Sequence, residues 1–157
     1  MLKMNIIEIG TKEFSFSILN KYTHKNLIAL KMNINKHSYG TFDSPTYIPS
    51  FIGSLKNLIQ DPIYKNDNLT IENYLENLST NHELTTHYRL TLEETFDDFS
   101  KVAVRNQNSI FFLFKLHKDP FFSYPNLVEG IIYADHVNIN SVNSALDDLI
   151  EYIKVLT

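Results

Sequence analysis

Four carboxylates crowd positions 93 to 98: Glu93, Glu94, Asp97 and Asp98, interleaved with Phe96 and followed by Phe99. Two carboxylates held together can share acid–base work. Asp97 and Asp98 are adjacent, however, and in an extended chain adjacent side chains point to opposite sides, so they do not form such a pair by themselves. Pairing with Glu93 or Glu94 stays open. A second chemistry is recognition, in which exposed acids meet Lys and Arg of a partner protein, with Phe96, Phe99, Phe121 or Tyr124 as aromatic anchors. The candidate partner-binding residues are therefore Glu93, Glu94, Asp97, Asp98, Phe99, Asp119 and Tyr124. The plainer alternative is a solvated turn whose phenylalanines belong to the core.

Other catalytic patterns fail. Gly10, Gly40, Gly53 and Gly130 are scattered, so no glycine loop cradles a phosphate, and no serine sits in a G-x-S-x-G elbow. Without cysteine there is no thiolate nucleophile, disulfide or cysteine zinc site. His82 and His87 are five apart and match no zinc spacing. His24, His37, His117 and His136 fall near expected strand ends or loops, where satisfied or surface histidines are ordinary. Lys115 interrupts an aromatic run; it is either a desolvated amine or, more simply, a side chain whose head reaches solvent. No catalytic residue, metal or cofactor is expected, and the chain is read as not an enzyme.

The elements that must position the acids follow from periodicity. Ser100–Arg105 and Ile110–His117 are strand-like runs flanking Asn106-Gln107-Asn108-Ser109, a quartet suited to a hairpin loop. The run Ile110–Phe114 is apolar throughout, which predicts burial on both faces and a central place in a sheet. Upstream, strands are expected at Met4–Ile9, Glu13–Tyr22 and Leu27–Ile34. In the second of these, Phe14, Phe16 and Ile18 alternate with Ser15 and Ser17. Lys36–Asp43 reads as a turn around Gly40. Ile48–Gln60 reads as an amphipathic helix that Asp61-Pro62 stops.

Thr70 is placed to cap a short helix, Ile71–Leu78, with Asn73 where a capping box has Glu. Thr85–Leu92 alternates like a strand. Lys118-Asp119-Pro120 turns into an aromatic loop holding Phe121, Phe122 and Tyr124. Leu127–His136 reads as a strand with a bulge at Gly130, and Ser141 as the cap of a helix running to Leu156. Strands and helices come in blocks, which indicates an α+β fold: a largely antiparallel sheet of about six to seven strands with helices packed on one face.

A chain of 157 residues is the size of one domain, 1–157, and is globular in composition. The net charge of −4 is unevenly spread: residues 1–66 carry eight lysines against four acids, and residues 67–157 carry fourteen acids against six bases. An acidic half repels nucleic acid and suits a basic protein partner. Glu8 interrupts the N-terminal stretch before a signal peptide could form, and no run approaches the roughly 20 apolar residues of a membrane span. A soluble cytoplasmic protein is expected.

Taken in order, several stretches resemble immunity proteins of bacterial polymorphic toxin systems, including those of contact-dependent growth inhibition. These are Ile9-Gly10-Thr11-Lys12-Glu13-Phe14, Tyr39-Gly40-Thr41-Phe42-Asp43, Ser54-Leu55, Phe96-Asp97-Asp98-Phe99 and Ile110-Phe111-Phe112-Leu113-Phe114-Lys115, followed by a terminal strand and helix. The chain departs from that pattern at Thr11, where an acid is common, and in having no Trp. The resemblance implies a cytoplasmic, non-enzymatic antitoxin that binds the C-terminal domain of one cognate toxin, often a nuclease and basic, and occludes its active site. It implies no direct contact with nucleic acid or membrane and carries over no catalytic residues. Two other classes stand beside it: a small-ligand or lipid-binding module with an aromatic-lined pocket, and an enzyme using His87 or His117 with an acid.

Overall fold

A computed structural model describes residues 5–20 and 24–156. The expected strand ends at Met4 and Tyr22 lie outside the described residues. Strands β1 (Ile6–Gly10), β2 (Phe14–Leu19), β3 (Leu27–Ile34) and β4 (His37–Tyr47) form an antiparallel meander. Strands β5 (Phe99–Arg105), β6 (Ser109–Leu116) and β7 (Ile132–Asn138) form a second antiparallel sheet in that order. The fold is α+β, with seven strands divided over two sheets. Helices α1 (Ile48–Gln60) and α4 (Ile139–Lys154) join the core between the sheets, while α2 (Tyr74–Thr80) and α3 (His82–His87) cover part of the outer face of the second. Among the described residues no helix is long and apolar enough to cross a membrane.

Strand β6 explains why two sheets share one molecule. Phe112 and Phe114 enter the main core, where Phe112 stacks on Phe14 and Tyr39 lies 4.2 Å from Phe114, centroid to centroid. Phe111 and Leu113 face the other way and are covered by Leu69, Tyr74, Leu78 and Tyr88. The continuous apolar run is thus a strand buried on both sides. At the seam, the His37 ring nitrogen Nδ1 lies 3.1 Å from the Asp135 carboxylate, which also accepts from Asn35, tying the β3–β4 turn to β7.

Three expected elements differ. The turn expected around Gly40 is absent: only Asn35 and Lys36 turn, His37–Asp43 is the first part of β4, and Gly40 (φ +105°) serves close approach, since a Cβ there would sit 3.1 Å from the Phe96 ring. Thr85–Leu92 is not one strand. Asn81 accepts from the Leu84 N–H and starts α3, so the alternation governs only Tyr88–Leu92, whose Tyr88, Leu90 and Leu92 are buried beside β5. The last strand begins at Ile132 rather than Leu127, because Gly130 (φ +78°) breaks the extended path and only its N–H bonds Leu116. The Thr70–Asn73 box does form, with each side chain accepting from the other's backbone N–H, but it closes the turn just before α2. Asn138, not Ser141, caps α4.

Candidate functional site: an acidic groove beside an aromatic loop

The acids are presented by a single 3-10 turn, Glu94–Phe96, closed by Phe96 N–H to Glu93 O at 2.8 Å and Asp97 N–H to Glu94 O at 3.0 Å. Its apolar half points inward. Phe96 is fully buried and stacks on Phe51 of α1 at 5.4 Å, and the Thr95 hydroxyl meets that of Thr46 at 2.7 Å in the interior. With Thr95 and Phe96 anchored, Glu94 and Asp97 project into solvent and Glu93 is half-buried at the rim. The Lys101 ammonium donates to Phe96 O and Phe99 O, closing the underside of the turn. Burial pulls the Lys101 ammonium below its ordinary range; Asp97 opposes that effect and Arg89 adds to it.

The second wall is the loop after β6, held by Asp98. Its carboxylate accepts from Phe121 N–H (2.8 Å), Phe122 N–H (3.0 Å) and the Tyr124 hydroxyl (2.8 Å). Partial burial alone would raise the Asp98 carboxyl, but these bonds together with nearby His117 outweigh it and hold the group below the usual carboxylate range. The same contact, after burial itself, pushes the Tyr124 phenol up. The clasp leaves Phe121 85% exposed, edge-on to Phe122.

Leu27, Ser44, Pro45 and Tyr47, from the start of β3 and the end of β4, complete a groove of about 540 Å³. Four carboxylates line it, no lysine or arginine does, and Leu27, Tyr47 and Phe121 bring exposed apolar surface to it. An acidic, aromatic-edged groove is equipped to bind a basic protein surface with an apolar contact at its centre.

The structure brings Glu93, Glu94, Asp97 and Asp98 together, but it assigns them different work. Asp98 lines the groove too, but its carboxylate oxygens are taken up by the loop, which it positions. Phe99 is 2% exposed and belongs to the core, which corrects its place among the anchors. Tyr124 packs on Phe99 at 4.9 Å with its hydroxyl on Asp98 and also acts through the loop. Asp119 is exposed in the turn before Pro120 and does not line the groove. Tyr47 and Leu27 were missed; as single apolar residues at strand ends they carry no periodic signal.

The histidines are dispersed. His117 Nε2 lies 2.9 Å from the Ser100 hydroxyl, and His87 lies edge-on against Tyr88. Among the described residues no three His, Asp or Glu are grouped as a metal site would need, and no buried side-chain polar atom lacks a partner. Compared with protein-family models, with curated proteins and with solved structures, the chain matches none.

Proposed function

We propose that this protein is an immunity protein that binds the C-terminal domain of a cognate bacterial toxin in the cytoplasm and neutralises it by occluding its active site. The observation that carries the reading is the groove: Glu93, Glu94 and Asp97 face Tyr47 and Phe121 with no base among the lining residues. A nuclease active site is basic because it binds phosphates, and that makes it the natural complement of such a surface. Long-range attraction speeds encounter, and the exposed aromatics supply the desolvated contact that slows dissociation. The sequence resemblance adds the class of partner. No bond-making by this chain is invoked.

The test is to purify the toxin domain encoded beside this gene and titrate it with the protein. A one-to-one complex that abolishes toxin activity, and protection of cells expressing the toxin, are the expected results. Failure to form the complex, or a complex that leaves the toxin active, removes the claim.

A further inference from the structure

Asp97 also lines a second groove, of about 670 Å³, between the α2–α3 pair and the uncovered part of the outer face of β5–β7. Register determines what faces it. Arg89 bridges Val102, Val102 pairs with Leu113 and Leu113 with Ala134, so these residues form one row across the sheet. Ser100, Lys115 and Ile132 form the next row on the same face. The first row runs under the helices, with Leu113 buried against Tyr88 and Leu78. The second is open: Ser100 and Lys115 are exposed and Ile132 is 43% exposed.

The charge here is opposite to that of the acidic groove. Arg89 and Lys115 are both exposed, and among the described residues neither belongs to an ion pair. Asp97 is the one carboxylate in the lining. Two inter-strand steps of about 4.8 Å and two residues of about 3.3 Å root Arg89 and Lys115 about 12 Å apart. Side chains spread that widely are poorly placed to converge on one phosphate or carboxylate. They match acids four residues apart on an extended chain, which share one face and span about 13 Å at the same rise. Val102, Leu113 and Ile132 give the floor between them an apolar character.

We propose that this groove docks an extended acidic segment of a protein partner, with acidic residues four apart on one face and apolar residues between them. This is a second surface, and it stands whether or not the acidic groove binds a toxin.

The test uses the full-length, isotope-labelled protein and a short synthetic peptide with Glu at every fourth position and Val or Leu between. Expected are amide shifts at Arg89, Val102, Leu113, Lys115 and Ile132, weakened by salt, and about a tenfold loss of affinity in R89E/K115E. Should that variant fold poorly, R89Q/K115Q gives the same readout with less charge change. E93K/E94K, across the ridge, should retain peptide binding, so that the two grooves are separated in one experiment. Absence of shifts on this face, binding unchanged in the charge variants, or equal shifts with inorganic phosphate or oleate alone would overturn the proposal. So would a concentration-dependent dimer that R89E/K115E dissolves, since the occupant would then be a second copy.

Discussion

The Tyr124 hydroxyl donates to the Asp98 carboxylate at 2.8 Å, joining the aromatic loop to the end of the acidic turn. Together with the two backbone bonds from Phe121 and Phe122, it sets the height at which Phe121 stands beside Glu94. Asp98 therefore shapes the groove by holding its aromatic wall in place.

Replacing Asp98 with Ala should cost about 1–2 kcal/mol, the value for bonds to a charged group reduced by solvent screening at a partly exposed site. The sign of the pH effect follows from its depressed folded pKa. The stabilisation is present above the unfolded carboxylate range, near pH 4, and is lost as pH falls through the folded value. Protection factors of the Phe121 and Phe122 amides, taken relative to the intrinsic exchange rate at each pH, should be high at neutral pH, lower in acid, and low at both in D98A. Equal protection in the variant and the parent at neutral pH would refute the clasp.

Phe121 is the reverse case. At 85% exposed it contributes little to folding, so F121A should unfold within about 0.5 kcal/mol of the parent. Its affinity for the toxin domain should fall about tenfold or more, as for a truncated aromatic anchor. Calorimetric titration beside a denaturant melt separates the two effects.

Thr46 and Thr95 satisfy one another in the interior. T46V strands the Thr95 hydroxyl and should destabilise by about 1–3 kcal/mol, whereas T46V/T95V removes both polar groups and should recover most of that loss. Denaturant midpoints of the two single variants and the double variant provide the cycle. A double variant as unstable as the sum of the singles would contradict the pairing.

Arg105 is 8% exposed, and its guanidinium donates to Leu58 O and Asp61 O, both at 2.7 Å, at the C-terminal end of α1. R105A leaves the Leu58 carbonyl unpaired and takes one of two donors from Asp61 O, which keeps the Tyr64 N–H, and should cost about 1–3 kcal/mol, with R105K only partly restoring stability because the shorter, more strongly hydrated ammonium is costlier to bury. Thermal unfolding measures both.

Two of the periodic stretches are read correctly. Ile48–Gln60 shows one apolar stripe and ends at Asp61-Pro62, and α1 has those bounds. Ile110–Phe114 shows no alternation because both of its faces are covered. Local signals misled where their cause lay far off in sequence. Gly40 looks like a turn residue, but it is small to admit Phe96, and α3 begins at the Asn81 cap inside a stretch that alternates like a strand. The acidic cluster was visible, yet adjacent Asp97 and Asp98 are equivalent on paper. Only the loop at Phe121–Tyr124 distinguishes the free acid from the committed one. Likewise nothing local marks Phe99 as core and Phe121 as surface.

The most direct measurement is the affinity of E93K/E94K/D97K for the toxin domain across a salt series, with Asp98 left in place to keep the loop. A large loss of affinity is expected in dilute buffer, carried mainly by slower association and narrowing as salt screens the parent's advantage. Parent-like affinity in the triple variant at low salt would contradict it.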